Sequence, residues 1–152
     1  MYIKTVRLRS IRSAAVMLAL VLAAAAVLVW AIGSAGTGMK DLEMKTEKDR
    51  QQFLSSMGWE VDPKYESCRQ VTIPQKFTAV YKNYNDLQKR QGFDLSDYKG
   101  KNVSIYTYTV RNYKGYSGKD CIKANLIVCE GKLIGGDVCS IELDGFMQGL
   151  KK

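Results

Sequence analysis

Residues 14–32 are nineteen consecutive uncharged residues, and no other feature limits the chain so strongly. As a helix rising ~1.5 Å per residue, the run is about 28 Å long. That matches a bilayer hydrocarbon core roughly 30 Å thick. Eight Ala, four Leu, four Val and one each of Met, Trp and Ile leave no polar stripe. The helix is apolar all round, as lipid requires. Trp30 lies near its far end, where an indole favours the interface.

Lys4, Arg7, Arg9 and Arg12 precede this block, and the first acid is Asp41. The positive bias predicts a single-pass membrane helix over residues 14–32, a cytoplasmic tail over 1–13, and everything beyond on the extracytoplasmic side. The competing reading is a cleaved signal peptide, with small residues Ala31, Gly33 and Ala35 as the cleavage region. A signal h-region usually spans ~7–15 residues, shorter than this one. Both readings send the rest of the chain across the membrane. Ala15, Ala19 and Ala23 have the spacing of a close helix–helix contact, which an Ala-rich span also produces by chance.

The net charge of +8 does not read as a nucleic-acid signal. The tail holds four of the positives, and the remaining nineteen Lys plus Arg face fifteen acids, a balance of +4. These charges are interspersed. Mild basicity suits anionic lipid headgroups or wall polymers, and equally an ordinary solvated surface. The expected partners are membrane lipid through residues 14–32 and a protein or cell-wall component.

Residues 33–45 read as a linker, and residues 46–152 suffice for one compact domain. Thr46 and Asp49 form a capping-box pattern ahead of a helix carrying Phe53, Leu54 and Met57, which Gly58 ends. Residues 65–73 read as extended. Pro74 suits the first turn of a second helix over 74–91, whose stripe is Phe77, Val80, Tyr81, Tyr84 and Leu87. After a loop at 93–100, strands are predicted over 102–112, 120–129 and 133–141. Glu130-Gly131 reads as the tight turn of a hairpin. Cys129 then faces Lys132, and one face carries Ile122, Ala124, Leu126, Val128, Leu133 and Cys139. Residues 142–150 read as one docked helical turn.

Four cysteines in an exported domain invite a disulfide reading. In that register Cys121 and Cys129 lie about 26 Å apart along one strand at ~3.3 Å per residue, and Cys139 points to the opposite face. Cys68 stays unplaced and is free to pair with one of the others; the alternative reading is small apolar side chains, Cys139 in the core especially. No Cys-x-x-Cys pair and no histidine exist, so neither a zinc-site pattern nor Ser–His or Cys–His catalysis can be drawn. Asp94 with Asp97, or Asp137 with Asp144, are candidate carboxylate pairs, against which the favoured reading is turn and strand-edge residues. Gly135-Gly136 is no phosphate loop and marks a bulge or a close backbone approach. Tyr106 and Tyr108 alternate with Val110 as core or half-core. Arg111, Tyr113, Lys114 and Tyr116 combine aromatics with cations on a turn and form a candidate partner surface.

Several phrases occur together: Gly58-Trp59-Glu60-Val61, Ile73-Pro74, Val80-Tyr81, Gln91-Gly92-Phe93-Asp94-Leu95, Tyr106-Thr107-Tyr108, Ala124-Asn125-Leu126-Ile127-Val128 and Gly135-Gly136-Asp137-Val138-Cys139-Ser140. The combination resembles an uncharacterised family of low-GC Gram-positive bacteria, domain-of-unknown-function family 4830, over about residues 53–150. The resemblance implies a bacterial membrane setting and supplies no activity and no functional residues.

The sequence therefore predicts an α+β domain behind a transmembrane helix: two helices on one face of an antiparallel sheet that ends in a three-strand meander, with a strand over residues 65–73 joining it. The function expected is a non-catalytic, membrane-tethered extracytoplasmic binding module without a cofactor. The alternative is an envelope enzyme or redox protein using Cys or Asp. Protease added to intact, wall-stripped cells is expected to digest the residues beyond position 33; their survival would place the domain on the cytoplasmic side.

Overall fold

In the computed structural model the described residues are 39, 42–116 and 120–152. The expected tail at 1–13, the membrane helix at 14–32 and most of the linker at 33–45 lie outside them. Among the described residues no helix is long and apolar enough to cross a membrane. Those residues belong to one unit, Gly38–Lys152. Its elements run α1 (Glu47–Ser56), β1 (Ser67–Thr72), α2 (Ala79–Lys89), a 3-10 turn (Leu95–Tyr98), β2 (Asn102–Thr109), β3 (Ile122–Cys129), β4 (Lys132–Ser140) and β5 (Met147–Gln148). The five strands lie in chain order, each antiparallel to the next. The α+β class holds: β1 joins the three-strand meander as expected of residues 65–73, and β5 adds a fifth strand.

Both helices begin at threonine caps. Asp49 N–H donates to Thr46 Oγ1 at 3.2 Å while Thr46 N–H donates to Asp49 Oδ2 at 2.8 Å, the reciprocal pairing of a capping box. At Gly58 the φ of +89° closes α1 in the left-handed region that a side chain disfavours. The second helix starts at Ala79 rather than Pro74, because Thr78 Oγ1 accepts the Tyr81 N–H at 3.3 Å. Its burial also differs from the predicted stripe. Val80 is 79% exposed, while Asn85 and Gln88 are the buried positions.

The β3–β4 hairpin begins in the expected register, Cys129 opposite Lys132 and Val128 opposite Leu133. A bulge between Ile127 and Val128 then shifts it by one, so that Ile127 faces Gly135 and Ala124 faces Val138. A one-residue shift sends every later side chain to the other face. Val138 thus joins Ala124 and Leu126 in one core, while Cys139, expected there, turns to the opposite face beside Asn125 and Asp137.

The two faces carry separate cores. Phe53 and Leu54 of α1 join Tyr108, Ala124, Leu126 and Val138. Ile73, Val103, Ile127 and Ile134 form the second core, against which Tyr81 and Tyr84 of α2 pack. The helices therefore lie on opposite faces, correcting the one-face prediction. β3 is buried at seven of its eight positions, and a strand of that kind needs cover on both sides.

Two further expectations are corrected. The tail forms β5, with Cys139 opposite Met147, instead of a helical turn. Leu42–Met44 belong to the fold rather than to a linker: Met44 is buried, its N–H donates to Gly131 O at 2.7 Å, and Leu133 N–H donates to Leu42 O at 2.9 Å.

α1 is tied to its face by a buried cation. Arg50 Nε donates to Tyr108 Oη at 2.9 Å, Nη1 to Met44 O at 2.9 Å and Nη2 to Glu47 at 3.1 Å. Its guanidinium sits 3.8 Å from the Tyr106 ring centroid. Tyr108 is fully buried and Tyr106 half-buried, as the alternation predicts.

α2 is tied to the edge of β4. Gly136 N–H donates to Gln88 Oε1 at 2.8 Å, and Gln91 Nε2 donates to Gly136 O at 2.9 Å. Gln91 Oε1 also accepts Leu150 N–H at 2.6 Å. These glutamines satisfy edge groups that would otherwise pair with another strand. The Gly135-Gly136 pair is the close approach its composition predicts: a Cβ on Gly136 would fall 2.5 Å from Asn125 O and 2.8 Å from Leu150 Cδ1. Gly136→Ala is expected to cost about 2 kcal/mol or more, as overpacked cores do. The readout is a lower denaturant midpoint at unchanged slope in detergent-solubilised chain; a variant as stable as the parent would contradict this packing.

Candidate functional site

The predicted surface at Arg111, Tyr113, Lys114 and Tyr116 is partly consumed by the fold. Arg111 lies exposed just beyond β2 but is engaged: Nε and Nη2 donate to the two Asp62 oxygens, each at 2.6 Å, and Nη1 reaches Asp120. Tyr113 stacks on Phe146 with centroids 4.7 Å apart and lies parallel to Trp59 at 5.8 Å. Its hydroxyl donates to Gln148 Oε1 at 3.0 Å. Tyr116 meets Tyr113 edge-on at 5.7 Å. Lys114 remains exposed. The structure thus brings the two tyrosines together with Trp59 and Phe146, residues that sequence spacing did not connect to them.

The Asp candidates separate. Asp94 caps the 3-10 turn, accepting Ser96 N–H and Asn85 Nδ2, each at 2.9 Å. Although burial opposes it, hydrogen bonds from Ser96 and Asn85 hold this carboxyl well below the usual range. It is a structural turn residue. Asp144 sits exposed with φ +61° in the turn after β4, whereas Asp137 is 2% exposed within β4. They form no carboxylate pair.

Asp137 is instead the polar centre of a groove. It accepts Tyr84 Oη–H at 2.7 Å and Asn125 Nδ2–H at 2.9 Å. Asn125 lies directly across the ladder, and Tyr84 comes from the sheet-facing side of α2. Burial raises the Asp137 carboxyl above its ordinary value, while Asn125, Tyr84 and Cys139 pull the other way. Burial and the neighbouring Asp137 push the Cys139 thiol up to about 11, and Asn125 Nδ2 lies 3.6 Å from its sulfur. Tyr84 is raised well above its ordinary value, chiefly by burial.

α2 covers only part of the second face. Between it and β1–β3 runs a cavity of about 380 Å³, with Asp137 and Asn125 lining it alongside Ile105, Ile127, Tyr81 and Tyr84. An apolar cleft of about 500 Å³ adjoins it, sharing Tyr81, Tyr84 and Met147 and bordered by Val80, Leu87 and Arg90. Volumes in this range and few converging polar groups characterise small-ligand sites. Val71, Val80 and Met147, on its margins, are 37%, 79% and 54% exposed.

The four cysteines are unpaired, with Cys68 exposed and Cys129 buried. Burial also raises the Cys129 thiol. A thiolate is the reactive form, so native protein at pH 7.5 is expected to label fastest at Cys68, with Cys129 and Cys139 labelling only after denaturation. Mass mapping of alkylated peptides reads this, and rapid alkylation of Cys139 would contradict it. The Asp137 shift gives a second expectation. A carboxyl whose folded pKa is raised stabilises the fold most below its unfolded value of about 3.9, and loses that contribution as pH climbs through the folded value. Wild type should therefore lose stability relative to Asp137→Asn as pH rises above about 4. A pH-independent difference between the two melting temperatures would refute this.

No curated protein and no solved structure matches the chain. A family described as a domain of unknown function (DUF4830) matches residues 53–138, more than half of the 152 residues. The match runs from the core-facing side of α1 to Val138, taking in both glutamine clamps, Tyr84, Asn125 and Asp137. The chain belongs to this domain-of-unknown-function family, DUF4830.

Proposed function

We propose that the chain is a non-catalytic binding module, tethered to a bacterial membrane by residues 14–32 and displayed on the extracytoplasmic side, whose binding element is the groove between α2 and the second sheet face. The observation that supports it is the groove itself: a half-covered apolar surface with one hydrogen-bonded polar cluster at its floor. The envelope enzyme or redox alternative needs an activated nucleophile. Cys139, the thiol nearest the groove's polar cluster, is shifted away from thiolate, and the sequence has no histidine to serve as its base. In this reading the turn carrying Arg111, Tyr113, Lys114 and Tyr116 is a second contact, facing a protein or wall partner through Lys114.

Tethering and binding are tested separately. Alkaline carbonate extraction of native membranes is expected to leave the chain in the pellet; release to the supernatant would overturn the anchor. Titration of the full chain in micelles with 2-phenylethanol is expected to shift the NMR resonances of Ile105, Ile127 and the Tyr84 ring, and Ile105→Trp to abolish those shifts. Shifts spread evenly over the domain would overturn the groove as binding element.

A further inference from the structure

The groove holds an acid and a cation that do not meet. Asp137 takes hydrogen bonds from Tyr84, Asn125 and Cys139, all uncharged donors. Arg69, on β1, lines the same cavity and is exposed. Other packed cations are paired: Arg50 with Glu47, Arg111 with Asp62, and Lys123, on this same face opposite Cys139, with Glu66. Arg69 takes part in no such pair among the described residues. A carboxylate enclosed without a cation costs stability, and the cost falls when a cation arrives.

The register fixes how far apart these charges stand. Arg69 faces Ile105, Ile105 faces Ile127, and Ile127 faces Gly135, two residues before Asp137. Three strand spacings of ~4.8 Å and two residues of ~3.3 Å place the two backbones about 14 Å apart across the sheet and about 7 Å along it. Both residues share one face. Once the long arginine side chain reaches inward, the remaining gap is of the order of one extended dipeptide, about 7 Å. Ile105 and Ile127 floor the interval, with Tyr81 and Tyr84 as its wall.

We propose that the groove binds an apolar zwitterion, a short peptide with free termini, its ammonium group on Asp137, its carboxylate on Arg69 and its apolar side chains against Ile105, Ile127 and Tyr81. Resting on the binding-module reading, this inference names the ligand class. The termini provide orientation through charge, while apolar contact supplies most of the affinity.

The test uses full-length chain in micelles and three probes: phenylalanyl-leucine, its N-acetyl form and its C-terminal amide. The free dipeptide is expected to bind at least tenfold more tightly than either blocked form. Asp137→Asn should abolish the loss caused by acetylation, and Arg69→Gln the loss caused by amidation, each leaving the other intact. Arg69 is exposed, so its variant should fold even if Asp137→Asn does not. Equal affinity for all three probes, or a dipeptide that fails to shift Ile105 and Ile127, would overturn the zwitterion. If 2-phenylethanol still binds in the groove, the binding-module reading survives that failure; if it too fails, both fall together.

Discussion

A β-sheet that is apolar on both faces cannot leave either face in water. That constraint organises this domain. β3 presents Ile122, Ala124, Leu126 and Val128 to one side, and Ile127 and Cys129 to the other. α1 covers the first side with Phe53 and Leu54, both nearly inaccessible to solvent. Each such side chain contributes on the order of 1.5–3 kcal/mol by leaving water. α2 must then serve the second side, and at eleven residues, ~1.5 Å each, it is too short to cover it. What it leaves bare is the groove. The site is thus a by-product of unequal cover rather than a separate element.

The buried polar groups show how the two sides differ. On the α1 side, Arg50 has hydrogen bonds from three of its nitrogens and an aromatic face beneath it, so a full charge is accommodated. The opposite face carries Lys123, across the ladder from Cys139, where it contacts Glu66 and donates to Thr109 Oγ1 at 3.1 Å. On the α2 side, Gln88 is fully buried. Its oxygen bonds to Gly136, while its Nε2 has no partner among the described residues, a cost of about 1–3 kcal/mol. Asp137 is enclosed without a cation. The first face is a satisfied core, whereas the second, beside the paired Lys123, leaves Gln88 Nε2 unpaired and Asp137 enclosed among uncharged donors.

Local signals were legible in the sequence wherever one residue type decides the outcome. Thr46 with Asp49, Gly58 as a helix end and Glu130-Gly131 as a turn all rest on backbone chemistry that acts within four residues. The hairpin register was legible only as far as Val128. The bulge beyond it goes with Gly135 and Gly136 admitting Gln88 and Leu150, contacts from 48 residues upstream of Gly136 and from the C-terminal tail that no local pattern contains. Missing it put Cys139 on the wrong face and left Asp137 as a strand-edge residue. One signal for two-sided cover was present: Leu126-Ile127-Val128-Cys129 and Leu133-Ile134 are unbroken apolar runs, not alternations. Asp137 itself had no sequence signal, since its environment is assembled from α2 and β3.

The arrangement of one helix per face is tested most directly by nuclear Overhauser contacts in methyl-labelled full-length chain. Leu54 and the Phe53 ring should contact Ala124 and Leu126, while the Tyr81 and Tyr84 rings contact Ile105 and Ile127, with no exchange between the sets. Contacts from Tyr84 to Leu126, or from Phe53 to Ile127, would put both helices on one face and remove the groove.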